Sequence, residues 1–144
     1  MKKSLVLVII ILVAISAFFA IKYKEHEINQ IDLNNFNLIY DKYNKDDLNG
    51  LDITTVMNQA TSNNEKYAIE KDSNGLYILD DEYSVEIYIT MIINNTTYKM
   101  ETFNQSRMSE FIRYFGEVGF KCTEITYHQK TGRVASMTFE ATEY

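Results

Sequence analysis

Residues 5–21 of this 144-residue chain read "LVLVIIILVAISAFFAI", seventeen positions without a charge. As one helix this run is about 26 Å long, at the short end of what crosses a bilayer. A secretory signal has a shorter apolar region followed by a small-x-small cleavage site. Here the −3 position upstream of Ala20 is Phe18, and cutting after Ala14-Ile15-Ser16 would leave an apolar stub on the new terminus. A lipoprotein needs a cysteine just after the run, and the single cysteine is Cys122. The run therefore reads as an uncleaved transmembrane anchor, with a cleaved signal as the alternative. Lys2 and Lys3 precede it and Lys22 and Lys24 follow it. The short basic head and the long acidic remainder predict the amino terminus inside and the rest of the chain outside a cell membrane crossed once. The expected partition is a head (1–4), an anchor (5–21) whose partner is the lipid bilayer, a stalk helix (22–43) and an extracytoplasmic domain (44–144).

Charge excludes one class of partner. The whole chain carries −6. Beyond residue 27, removing four lysines from 14 basic and two glutamates from 20 acidic residues leaves 10 against 18, a net −8. Such a domain repels nucleic acid. With one cysteine there is no disulfide framework, and with no proline there is no stiff linker.

The stretch after the run, "IKYKEHEINQIDLNNF", has no helix breaker. Ile21, Ile28 and Ile31 recur at heptad-like spacing, interrupted by Lys24 and Asn35, and form a candidate interaction seam with a protein partner. Leu33, Phe36, Tyr40 and Tyr43 form a second stripe, suited to lying on the chain's own domain. In "NGLDITTVMNQATSNN", Asp52 is placed to cap a helix, with Leu51 and Val56 as its hydrophobic staple. Ile53, Val56, Met57 and Ala60 share the buried face, and Asn63-Asn64 are placed to end the helix.

Strand signals follow. "YAIEKDSNGLYILDD" reads as a hairpin turning at Ser73-Asn74-Gly75, with Ile69 opposite Leu79. A turn at Asn94-Asn95 would pair Ile93 with Thr96, Met91 with Tyr98 and Ile89 with Met100, putting Val85, Ile87, Ile89 and Met91 on the core face. Met108, Phe111, Ile112 and Phe115 mark a helix closed by Gly116. A loop at Lys130-Thr131-Gly132 makes a last hairpin that pairs Ile125 with Met137 and Tyr127 with Ala135, with Phe139 on the same side. Cys122, Glu124, Thr126 and His128 fall on the other side. The expected class is α+β: an N-terminal transmembrane and stalk helix, then antiparallel β-hairpins with two short amphipathic helices on one face.

Catalytic chemistry is not legible. Cys122 and His128 are about 20 Å apart on a regular strand, too far to act as a pair, so they read as a half-buried thiol and a surface imidazole. His26 reads as a solvated stalk residue. Two histidines and one cysteine make no metal site. In "KDDLNG" a calcium loop would need acids where Lys45 and Val56 stand. The acids of "LDDEY" read as a solvated loop, and "GEVG" (116–119) is too common a spacing to signal nucleic acid. No cofactor, metal or catalytic residue is assigned. The 11 tyrosines include candidates for a partner surface.

"GLDITTVMNQATSNN", "EKDSNGLYI" and "YHQKTGRVASMTFE" resemble a group of uncharacterised small single-anchor proteins of clostridia-like Gram-positive bacteria, over roughly residues 49–142. The layout is also similar to type IV pilin-like subunits, without their Gly-Phe processing site or the glutamate inside the apolar run. The resemblance implies no catalytic residues. The sequence thus reads as a non-enzymatic, membrane-anchored assembly or interaction component, of a pilus-like or secretion apparatus in its most concrete form; alternatively it is a membrane-tethered small-ligand or cell-wall binding module.

Overall fold

The computed structural model describes the backbone of residues 2–93, 95–103 and 105–142, and their side chains apart from those of residues 2–9, 28, 105 and 106. Helix α1 (Lys2–Asp41) contributes to two compact units, Met1–Asn35 and Phe36–Tyr144. Among the described residues no helix is long and apolar enough to cross a membrane; the described side chains of the apolar run begin at Ile10.

The second unit is α+β, as the hydrophobic patterning predicts. Its elements are β1 (Leu48–Asn49), α2 (Gly50–Lys66), β2 (Glu86–Met91), β3 (Thr96–Lys99), a 3-10 turn (Met100–Phe103), α3 (Gln105–Phe115), β4 (Gly119–Tyr127) and β5 (Val134–Ala141). The sheet order is β1-β4-β5-β2-β3. Its pairs are antiparallel except β2–β5, which is parallel, so the expectation of hairpins alone is corrected. Val85, Ile87, Ile89 and Met91 are buried on one sheet face with Met137 and Phe139, and Ile53, Val56, Met57 and Ala60 of α2 close over them in one core. Phe111 of α3 joins that core beside Phe120, at 6.3 Å between ring centroids, whereas Ile112 is left 38% exposed. Tyr40 and Tyr43 are buried in it, and Phe36 packs against it.

Local details depart from expectation in interpretable ways. The cap of α2 is Asn49, not Asp52: the Asn49 carboxamide accepts the amides of Leu51 and Asp52, and Asp52 Oδ2 accepts the Asn49 amide in return. Leu51 is therefore exposed, and buried Leu48 and Ile53 hold the staple positions. Gly50 is required here, because a Cβ would lie 1.9 Å from the Phe115 carbonyl oxygen of α3. Helix α2 does not stop at Asn63-Asn64. It runs to Lys66, because both amides dock on the chain entering β2: Asn63 Nδ2 donates to the Tyr83 carbonyl, and Asn64 both donates to and accepts from the backbone of Val85.

The 69–79 segment keeps the expected turn at Gly75 (φ +81°), but forms a single bridge, Lys71–Tyr77, in the register that places Ile69 opposite Leu79. The β2–β3 hairpin has slipped by two residues. Met91 faces Thr96 and Ile89 faces Tyr98, with a Thr90–Thr97 hydroxyl contact at 2.8 Å. The connection is residues 92–95, in which Asn95 takes φ 48° and Asn94 lies outside the described residues. Because the slip is even, Val85, Ile87, Ile89 and Met91 keep their expected face, while Met100, expected opposite Ile89, passes into the 3-10 turn. In β4–β5, Ile125 does face Met137 and Gly132 is left-handed (φ 70°). Irregularities at Cys122/Glu124 and Thr126/Tyr127 shift the rest, so Tyr127 faces Val134 instead of Ala135.

Candidate binding groove

The β4–β5 turn is held from two directions, and this fixes one arginine. Asn37, in the last turns of α1, donates to the Gly132 carbonyl at 3.0 Å and accepts the Val134 amide at 3.0 Å. On the other flank the Thr131 hydroxyl donates to the Glu82 carbonyl, and Lys130 pairs with Asp81 and Glu82. His128 belongs to the same clamp. The expected surface imidazole is buried, its Nε2–H donating to the Ser84 carbonyl at 2.7 Å, because the strand ends at Tyr127 and the chain turns inward.

The acids of "LDDEY" take part as well. Asp80 Oδ1 accepts the amides of Glu82, Tyr83 and Ser84. Burial works against its ionisation, but those three donors outweigh it and hold the carboxyl below its ordinary range. This turn sets Tyr83 to stack on Tyr67 at 4.7 Å and 9° between planes.

Arg133 lies inside that frame. Its guanidinium sits 3.6 Å from the Phe36 ring centroid, 4.9 Å from Tyr67 and 5.4 Å from Tyr83. Three aromatic faces orient and partly desolvate it. It walls a groove of about 510 Å³ between the last turns of α1 and helix α2. Phe36 and Ile39 make an apolar side; Asn58, Gln59 and Ser62 of α2 make a polar one. Lys42 and Lys66 also line it. Among the described residues none of these three cations pairs with a carboxylate; the lysines lie over Tyr43 and Tyr67 instead. Buried Tyr40 forms the floor, and burial pushes its phenol up, so it stays neutral beside Arg133.

Elsewhere the sheet holds an acid pair that sequence spacing did not disclose. Glu86 is fully buried. Its carboxyl neighbours that of Glu101, and its Oε2 is 3.4 Å from Lys99 Nζ. Glu101 Oε1 accepts the Tyr77 amide at 2.8 Å. Glu86 Oε1 and Glu101 Oε2 have no other partner. Burial first, then the negative Glu101, push Glu86 up to about 7, against the pull of Lys99. A proton on Glu86 turns its buried carboxyl into a donor and relieves the penalty that burial and Glu101 impose on its charged form.

The residues singled out in the sequence do not converge here. Ile21 and Ile31 are 59% and 51% exposed on α1, and the side chain of Ile28 lies outside the described residues. Cys122 is half-buried, and burial pushes its thiol up. Among the described residues no group of three His, Cys, Asp or Glu side chains is arranged to hold a metal. Lys42, Lys66 and Arg133 are scattered along the chain, so spacing gave no warning of the groove; the abundance of tyrosine was the one related signal. The chain matches no protein-family model, no curated protein and no solved structure.

Proposed function

We propose that this chain is a membrane-anchored, non-enzymatic interaction domain acting outside the cytoplasmic membrane, as a component of a larger assembly. The anchor rests on the sequence of residues 5–21 and its lysine flanks. The interaction role rests on one observation: three cations line a single groove, none paired with a carboxylate among the described residues, in a domain where acids outnumber bases. Such charges are complementary to something outside the domain. A pilus-like or secretion apparatus is the concrete version that the pilin-like layout favours. The groove volume, within the range of small-molecule sites, favours a second reading, a tethered binding module for a small ligand or wall component.

A photo-crosslinking side chain placed at exposed Asn58, in native membranes, tests the interaction role. A discrete adduct is expected from Asn58 and not from exposed Glu124, and Lys42→Gln with Lys66→Gln should suppress it. Equal labelling from both positions, or none from Asn58 in a well-expressed protein, contradicts the role.

A further inference from the structure

We propose that the groove between α1 and α2 receives an acidic, partly apolar segment of a partner protein, with a carboxylate on Arg133 and an apolar side chain against Phe36 and Ile39. This rests on the interaction reading above and names the chemistry of the partner.

Arg133 carries the argument. An arginine in an acidic domain would ordinarily find a carboxylate of its own. Here the turn that carries it is pinned through Asn37 and Thr131, and its guanidinium plane is fixed by Phe36, Tyr67 and Tyr83. Holding the planar fork in advance lowers the ordering cost of a bidentate carboxylate contact. Lys42 and Lys66 add positive charge in the same groove without fixing geometry. A small inorganic anion would leave the wall of Phe36 and 42%-exposed Ile39 in water. A bilayer surface or a long anionic polymer would meet the net negative charge of the surrounding domain, −8 over residues 28–144. A short peptide segment can use both walls and keep its bulk clear of that field. A second copy of this chain is the competing occupant, since it too presents an acidic surface.

The test uses the full chain in detergent micelles and a labelled hexapeptide of glutamate, leucine and phenylalanine, compared with the same peptide carrying glutamine for glutamate. The acidic peptide should bind at least about tenfold more tightly, with the difference shrinking as salt rises. Arg133→Lys keeps the charge and loses the fork, and should weaken binding about tenfold. Because Arg133 also packs on three rings, the Lys42→Gln/Lys66→Gln protein provides a second variant, shown to be folded by an unchanged urea midpoint, and it should lose a comparable factor. Equal affinity for the two peptides, or indifference to the double lysine variant, overturns the proposal. So does displacement of the peptide by inorganic phosphate or phosphatidylglycerol vesicles as effective as displacement by unlabelled peptide. Self-association that consumes the groove and blocks the peptide assigns it to a second copy and overturns the proposal as well. A specific Asn58 adduct together with a failed peptide titration leaves the interaction role standing and removes only the acidic-segment assignment; loss of the adduct removes both.

Discussion

Glu86 is the residue with the clearest consequence in solution. It sits fully buried, facing one lysine and a second carboxyl, so it favours holding a proton. Its value rises from 4.5 to about 7 on folding. A group raised in this way contributes stability that is fully present below its unfolded value and is lost as pH rises through the folded one. The domain should therefore lose on the order of 2 kcal/mol between about pH 5 and pH 8, opposite to the effect of a paired surface acid. Urea unfolding across that range should show the midpoint falling, and Glu86→Gln should flatten the fall. A midpoint constant from pH 5 to 8, or a slope retained in the glutamine variant, would contradict a proton held on Glu86. None of this was legible in the sequence. Glu86 and Glu101 stand fifteen positions apart, and only the slipped β2–β3 register, continued two residues past Lys99 into the 3-10 turn, brings them near each other.

At the scale of the element, hydrophobic faces were legible and endpoints were not. The buried stripe of α2 and the inner face of β2 follow from periodicity, which survives a register slip of two. The end of α2 was hidden because an alanine holds the position that glycine usually marks. Ala68 has φ 53°, with its amide on the Glu65 carbonyl and the Ile69 amide on that of Asn64, the hydrogen-bond pattern of a Schellman cap. Asn63 and Asn64 looked like stop signals, but their side chains are spent on the chain leading into β2. Ala68→Gly should relieve the left-handed strain and raise stability by about 0.5–1 kcal/mol, read as a higher denaturant midpoint with an unchanged slope. A lower midpoint would mean that the cap tolerates the alanine without strain.

For the whole molecule, composition and local turns indicated an α+β domain, and the sheet order was beyond them. The parallel contact of β2 with β5 joins two hairpins far apart in the chain, and no turn signal encodes such a pairing. The groove has the same origin. It exists only once the last turns of α1, helix α2 and the β4–β5 turn meet, so its three cations are a property of the assembled domain. Under the proposed membrane-anchored reading, a domain confined to a membrane would meet its neighbours at a high effective concentration, so even a modest groove would be occupied. Retention of the apolar run is thus the claim on which the rest depends. Its direct measurement is the intact mass of the protein recovered from native membranes after carbonate washing. The full-chain mass in the membrane pellet is the predicted result; a washed-out species beginning near Ala17 would contradict it.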